Sequence, residues 1–117
     1  MTGQRDQPSL DELAARLAAF ARERDWDQFH APKNLAMALA GEVGELLEHF
    51  QWLSEQQSAN LPADVKNAVA LEMADVLLYL VRLADKLDID LNAAAVRKIG
   101  LNAVKYPVDQ FRGSSRK

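Results

Sequence analysis

Two long segments of the chain, residues 33–53 and 63–87, constrain the fold more than any other feature of the sequence. Both carry apolar residues at helical spacing, and the helices that this spacing predicts are apolar on nearly every side. A helix of that kind is buried in a core or in an interface. Because the chain shows neither β-alternation nor a sustained heptad, the two segments predict an all-α, four-helix bundle-like domain.

Capping and breaking residues set the helix boundaries. Ser9 and Glu12 form a capping-box pattern at the start of the first helix, Asp90 can cap the fourth, and Pro107 stops it. The predicted helices span residues 10–24, 33–53, 63–87 and 91–105.

The size and charge of the chain narrow the classes of protein to which it can belong. Its 117 residues suffice for one domain, which we place at residues 9–107, between a disordered leader (1–8) and a flexible tail (108–117). The net charge of −3 does not indicate a nucleic-acid or anionic-membrane surface. No apolar run reaches the ~20 residues of a membrane span. The chain has no cysteine, and its first residues are polar and lack the apolar stretch of a signal peptide. We therefore expect a cytoplasmic protein with neither nucleic acid nor membrane as a partner.

The same apolar segments predict self-association. A monomer of this size could hardly cover two helices that are apolar on nearly every side. We expect the domain to self-associate.

The two apolar segments each carry a pair of acids three residues apart: Glu42 with Glu45, and Glu72 with Asp75. Acids at this spacing share one side of a helix, and neither pair has a lysine or arginine near it on its own helix. Antiparallel packing of the two helices would bring all four together. Converging carboxylates must either hold protons or bind a hard dication, for which oxygen ligands favour Mg²⁺ or Mn²⁺. The alternative is two unrelated acid pairs on solvated faces.

Gly41 and Gly44 interrupt the first acid-bearing helix. Each costs a helix interior about 1 kcal/mol relative to alanine. We expect a close approach by the neighbouring helix, or by a ligand, to offset that cost.

These motifs resemble a known family. "GEVGELLEHFQW" followed by "LEMADVLLYLVRLA" resembles the MazG-like all-α nucleoside triphosphate pyrophosphohydrolases, and "RERDWDQFHAPKN" with "KIGLNAVKYP" is similar to their dCTP pyrophosphatase branch. The resemblance implies a helical bundle that assembles as a dimer or tetramer, with active sites drawing on more than one subunit. It also implies cleavage of a nucleoside triphosphate between its α and β phosphorus atoms, with magnesium held by Glu42, Glu45, Glu72 and Asp75. Leu17 stands where some dCTP-cleaving relatives carry a histidine, which leaves the base preference open.

A cluster of aromatic and polar residues lies in and after the first connection: Trp26, Phe29, His30, Lys33 and Asn34. In the light of the resemblance we interpret it as a pocket for the base and sugar, although Trp26 and Phe29 could instead close the core beneath a loop. Two further aromatics, Trp52 and Tyr79, follow the acids at helical spacing and could contact substrate. They could equally fill an interface or satisfy a buried polar group.

The fourth helix carries a polar stripe, Lys98, Asn102 and Lys105, followed by Tyr106. Cations near the carboxyl end of a helix are favourable on their own account. The resemblance implies instead that the stripe neutralises the β and γ phosphates and the departing pyrophosphate.

The leading hypothesis is therefore a Mg²⁺-dependent nucleoside triphosphate pyrophosphohydrolase (Mn²⁺ could substitute) that favours dCTP and modified cytidine triphosphates and clears them from the nucleotide pool. A non-catalytic helical interaction module with an acidic face is the alternative, and a structural metal site is a third. A di-iron site is disfavoured, because His49 lies four residues after Glu45 rather than three.

Overall fold

A computed structural model describes residues 7–115, and within that range every element is a helix. The longer helices are α1 (Leu10–Glu23), α2 (Pro32–Glu48), α4 (Ala63–Lys86) and α5 (Leu91–Lys105). Short elements lie between and after them: a 3₁₀ turn (Asp27–Phe29), α3 (Glu55–Ala59) and α6 (Val108–Phe111). The prediction of an all-α domain with four principal helices is confirmed.

Local hydrogen bonds fix the starts of α1 and α5. The hydroxyl of Ser9 accepts a hydrogen bond from the Glu12 amide at 3.2 Å, and the Asp90 carboxylate accepts one from the Ala93 amide at 2.9 Å. Both side chains satisfy backbone N–H groups that the first helical turn leaves without partners. Pro32 occupies the first turn of α2, where it has no N–H to lose.

The second predicted helix is too long. It ends at Glu48 rather than at residue 53, and the short helix α3 replaces part of the predicted loop. After Glu48 the backbone passes into turns, in which the His49 amide donates to the Leu46 carbonyl and the Leu53 amide to the Phe50 carbonyl. Ser54 then has an extended backbone (φ −72°, ψ 166°) and forms a reciprocal capping box with Gln57. A residue in that conformation starts a new helix and cannot continue the previous one.

The core lies where α4 packs against α2 over most of its length and against α1 more locally. Its buried apolar side chains are few and mostly small: Ala21, Leu35, Val69, Val81 and Ala84. The helix α5 packs along none of the other long helices. This arrangement places the two acid-bearing helices side by side and leaves α5 apart from them.

Many large apolar side chains remain in contact with solvent. Met37, Leu71, Val96, Ile99 and Val104 are each more than 60% exposed. The accessible surface is 9430 Å² for a 13.0 kDa chain, whereas a compact monomer of that mass exposes about 6,300 Å². Part of the exposed surface is therefore apolar and lies on helices.

The neighbouring helix does not approach Gly41 and Gly44 closely, although their unfavourable helix propensity in α2 led us to expect such an approach. Apart from the backbone of α2 itself, no described atom lies within 4 Å of a Cβ built at either glycine. The expectation of close packing within this chain is therefore wrong, and both positions are open to a ligand or another chain.

The ends of the chain are described only in part. Residues 1–6 of the predicted leader lie outside the described residues. In the predicted tail, α6 places the ring of Phe111 5.1 Å from that of Tyr106 in an edge-to-face contact. The domain limits stay a prediction. Among the described residues, no helix combines the length and apolarity needed to cross a membrane.

Candidate active site

The acids of α2 and α4 converge where these helices pack together. One carboxylate oxygen from each of Glu42, Glu45 and Glu72 lies within 4.8 Å of the other two. Asp75 is not a member of that set, but it lies close enough for its charge to act on Glu42. The sequence spacing predicted this convergence, and the contact between the two helices produces it.

Glu42 is the acid most affected by its neighbours. Burial raises the pKa of Glu42 to about 7, and the adjacent carboxyl groups of Glu45, Glu72 and Asp75 act in the same direction. One oxygen of Glu42 and one of Glu72 are buried without any hydrogen-bond partner among the described residues. Buried carboxylate oxygens normally have a partner. The cluster therefore has two buried oxygens that could still accept a hydrogen bond or bind a cation.

This donor set fits a hard divalent cation. All its ligands are carboxylate oxygens, which suit Mg²⁺, Mn²⁺ or Ca²⁺ and not zinc, which favours nitrogen and sulfur. A cation would satisfy the orphaned oxygens of Glu42 and Glu72 and would reduce the repulsion that raises the pKa of Glu42. Glu42, Glu45 and Glu72 could hold it, with Asp75 beside them.

A cavity of about 390 Å³ adjoins the acids. It is bounded by α1, the first connection, α2 and α4, and Asp75 belongs both to its lining and to the acid group. Most of its wall is apolar or aromatic, whereas its polar side chains are Arg16, His30, Asp75, Tyr79 and Arg82. Ligand pockets combine an apolar wall with a few polar groups in this way.

Arg82 is a residue of this site that the sequence analysis missed. It lies on α4, is only 5% exposed, and donates to the Asp27 carboxylate at 2.6 Å and to Nδ1 of His30 at 3.2 Å. The available signal was a single arginine within the apolar run "LLYLVRLA". A buried cation in such a run requires partners, which here come from the first connection.

The predicted base-and-sugar residues divide into two groups. Trp26, His30 and Tyr79 line the cavity. Phe29, Lys33 and Asn34 are exposed and do not line it, and the side-chain amide of Asn34 donates to the Phe29 carbonyl at 3.1 Å. Leu17 also lines the cavity.

Trp52 does not lie where the sequence predicted. It was placed two turns beyond Glu45 on the same helical face, but α2 ends at Glu48 and the Trp52 side chain is 86% exposed. The prediction of a continuous helical face is wrong at this residue.

The polar stripe of α5 lies apart from the acids in the single chain. Within residues 7–115 no hydrogen bond or ion pair joins Lys98, Asn102 or Lys105 to the four carboxylates. The ammonium of Lys105 lies 5.3 Å from the ring centroid of Tyr106. The single chain therefore brings the acids and the cavity together, but it does not bring the lysines of α5 to them.

Comparisons with known proteins identify the family of this chain. The profile of the MazG-like family matches residues 38–117. The chain is 46% identical over 113 residues to dCTP pyrophosphatase 1 of Rattus norvegicus and 44% identical to that of Homo sapiens, matching 95% of its own length in each case. It spans 66% of the length of these curated relatives. A crystal structure of a pyrophosphatase from Archaeoglobus fulgidus superposes with a TM-score of 0.80 at 40% identity, covering 86% of this chain and 94% of the other. The chain belongs to the MazG-like family.

Proposed function

We propose that the protein is a Mg²⁺-dependent nucleoside triphosphate pyrophosphohydrolase acting on dNTPs, with dCTP and modified cytidine triphosphates favoured. The observation that carries this proposal is the convergence of Glu42, Glu45 and Glu72 beside an aromatic-walled cavity. The names of the relatives support the same reaction. The reaction consumes one water and converts the triphosphate into a monophosphate and pyrophosphate.

The acids differ in what they can do. A bound divalent cation would neutralise phosphate charge and make a coordinated water more acidic. Glu45 is exposed whereas Glu42 and Glu72 are half-buried, so Glu45 is the member of the cluster that a water entering from solvent meets first. In this proposal Glu45 accepts the proton of the water that attacks the α-phosphorus, while Glu42 and Glu72 would be the principal residues to hold the cation.

The cavity takes the nucleobase. Trp26 and Tyr79 supply aromatic surface within it, and stacking contributes about 1–3 kcal/mol per base in complexes with single-stranded nucleic acids. Asp75 lies at the edge shared by the cavity and the acids. A base in the cavity therefore leaves its triphosphate directed towards the carboxylates.

The cations of α5 reach a triphosphate through assembly. Lys98 and Lys105 are exposed on a helix that stands apart from α2 and α4, while the apolar face of the same helix remains uncovered. A homodimer or homotetramer covers that face and brings the lysines of one copy to the phosphates held by another. We further propose that the protein acts in the cytoplasm on free nucleotides.

The test is release of pyrophosphate from dCTP with MgCl₂, with and without EDTA, by the wild type and by Glu45→Gln. We expect Glu45→Gln to lose nearly all turnover with an unchanged circular-dichroism spectrum. Glu48→Gln is the matched control, because Glu48 lies one turn further along α2, is exposed, and is not part of the cluster.

Two results would contradict the proposal at different levels. Full turnover by Glu45→Gln would remove that side chain from the mechanism. A wild type that releases no pyrophosphate from any common ribo- or deoxynucleoside triphosphate would favour the alternative, a non-catalytic interaction module that uses the acidic face.

A further inference from the structure

Arg82 and His30 form a hydrogen-bonded pair in the wall of the cavity. The Nε–H of Arg82 donates to Nδ1 of His30 at 3.2 Å, across 52 residues of sequence. The two terminal nitrogens of the same guanidinium have separate partners: Nη2 is paired with Asp27 at 2.6 Å, and Nη1 lies 3.4 Å from Asp85. Asp27 is also held by Lys86 at 2.9 Å.

The pair fixes the tautomer of the imidazole. Arginine remains protonated in proteins and can only donate, so Nδ1 of His30 must be the acceptor and carries no proton. Burial, followed by the charge of Arg82, lowers the pKa of His30 below its ordinary 6.5, which keeps the ring neutral. A neutral ring without a proton on Nδ1 carries it on Nε2. His30 is thereby held as a donor through Nε2.

The other polar groups of the cavity make this donor selective. Asp75 is drawn into the acid group, and the remaining polar side chains, Arg16, Arg82 and Tyr79, can all donate. A planar ligand between the aromatic walls therefore meets a wall rich in N–H and O–H groups. Such a wall favours a ring carbonyl oxygen over an amino group at the same place.

We propose that His30 is a specificity-determining residue that donates from Nε2 to the ring carbonyl of a pyrimidine base, and that Arg82 is a positioning residue that fixes the His30 tautomer. Cytosine, thymine and uracil all carry this carbonyl at C2, whereas adenine carries none. The inference rests on the proposed function and deepens it: the Arg82–His30 pair selects pyrimidine triphosphates over adenine nucleotides.

An ion pair that only anchors the first connection would behave differently. Lys86 contacts the same oxygen of Asp27 as Arg82 does, but it does not line the cavity and is not bonded to His30. Lys86→Met therefore weakens the anchor while leaving in place the hydrogen bond from Arg82 to the imidazole. It is the matched control for a purely structural role.

The kinetic test compares kcat/KM for dCTP and dATP in the full chain. We expect His30→Leu to lower kcat/KM for dCTP about tenfold or more and to leave dATP nearly unchanged, since a lost hydrogen bond of about 1.4 kcal/mol corresponds to a factor of ten. His30→Gln, whose amide can donate from a similar place, should recover part of the preference. Arg82→Leu should lower the dCTP/dATP ratio as His30→Leu does, and Lys86→Met should retain it.

The tautomer is measured directly by ¹⁵N-detected NMR of the imidazoles. The chain has two histidines, so His49 serves as an internal reference for His30. We expect His30 to be protonated on Nε2 alone in the wild type, and to become a mixture of tautomers in Arg82→Leu while His49 is unchanged. Should Arg82→Leu not fold, Arg82→Lys, which retains the charge but lacks the second donor arm, makes the same comparison.

The outcomes separate this inference from the proposed function. A wild type without pyrophosphate release overturns the proposed function. If the wild type is active, three results would overturn the present inference and leave the proposed function intact. These are a wild-type dCTP/dATP ratio in His30→Leu, a ratio lowered as much by Lys86→Met as by Arg82→Leu, and a His30 protonated on Nδ1.

Discussion

The most informative perturbation of this chain is Ile99→Asp, on the exposed apolar face of α5. Ile99 is 71% exposed in the single chain, and Val96, one turn earlier, is 72% exposed. The chain also exposes about 3,100 Å² more than the compact-monomer scaling gives. Half of that excess would exceed the ~800 Å² that each partner contributes to a standard interface. We therefore expect α5 to be covered by a second copy.

The expected change in the dissociation constant of the dimer follows from the exposure of Ile99. Full burial of an isoleucine side chain contributes about 1.5–3 kcal/mol, so the exposed 71% of Ile99 offers roughly 1–2 kcal/mol per copy. A two-fold dimer loses this contribution twice, and each aspartate in its place costs several kcal/mol of desolvation. A total loss of at least ~3 kcal/mol corresponds to a Kd raised by about 100-fold or more.

Sedimentation velocity over a dilution series measures this change, with Ala94→Asp as the control. Ala94 is exposed on the opposite side of α5, so it receives the same new side chain away from the apolar face. Because Lys98 and Lys105 reach the acids only through assembly in our proposal, the turnover of Ile99→Asp should fall together with the fraction of assembled protein. A wild type that is monomeric at micromolar concentration, or an Ile99→Asp chain with unchanged Kd, would refute the reasoning.

Three further predictions concern the core, the acids and the cations. Leu35 is 2% exposed, so Leu35→Ala should lower the free energy of unfolding by about 2–5 kcal/mol, measured by urea denaturation; a loss below ~1 kcal/mol would contradict its place in the core. In EDTA, the free energy of unfolding should fall as pH rises from 4.5 to about 7, because folded Glu42, with its pKa raised from 4.5 to about 7, retains a proton that the unfolded chain releases. Glu42→Gln should flatten that pH dependence. Mg²⁺ should stabilise the wild type more near pH 7 than near pH 4.5, because fewer protons must leave the carboxylates for the ion to bind. A stability that does not change with pH would contradict this account. Lys98→Ala combined with Lys105→Ala should raise KM for the triphosphate, whereas Arg97→Ala on the same helix should leave KM unchanged, and steady-state kinetics measures both.

Local signals in the sequence predicted the helices. The one error described above, in the end of α2, has a clear cause. Ser9 and Asp90 start helices in the structure as their capping patterns predicted. The end of α2 was missed because Leu46 to Leu53 continues the apolar pattern, whereas the backbone passes into turns after Glu48 and the capping box of Ser54 with Gln57 then starts a new helix. A reciprocal cap of this kind is readable in sequence, since it depends on two residues three apart.

The acid site was also largely determined by the sequence. Two acid pairs at three-residue spacing, on neighbouring apolar helices without bases, leave few arrangements other than convergence. The structure adds what spacing cannot supply: which oxygens are buried without partners, and that the pKa of Glu42 is raised to about 7. Those properties depend on how deeply each side chain lies between the helices.

Only the tertiary structure decided the shape and chemistry of the cavity. His30 and Arg82 are 52 residues apart, and no local pattern links them, so the hydrogen bond that fixes the imidazole tautomer arises only when the first connection packs on α4. Arg82 could be read in the sequence as an isolated cation, but its partners could not. The sequence determined the helices and the pairing of the acids because both depend on neighbours within a turn or two; burial, charge partners and the lining of the cavity depend on contacts between distant segments and were decided by packing.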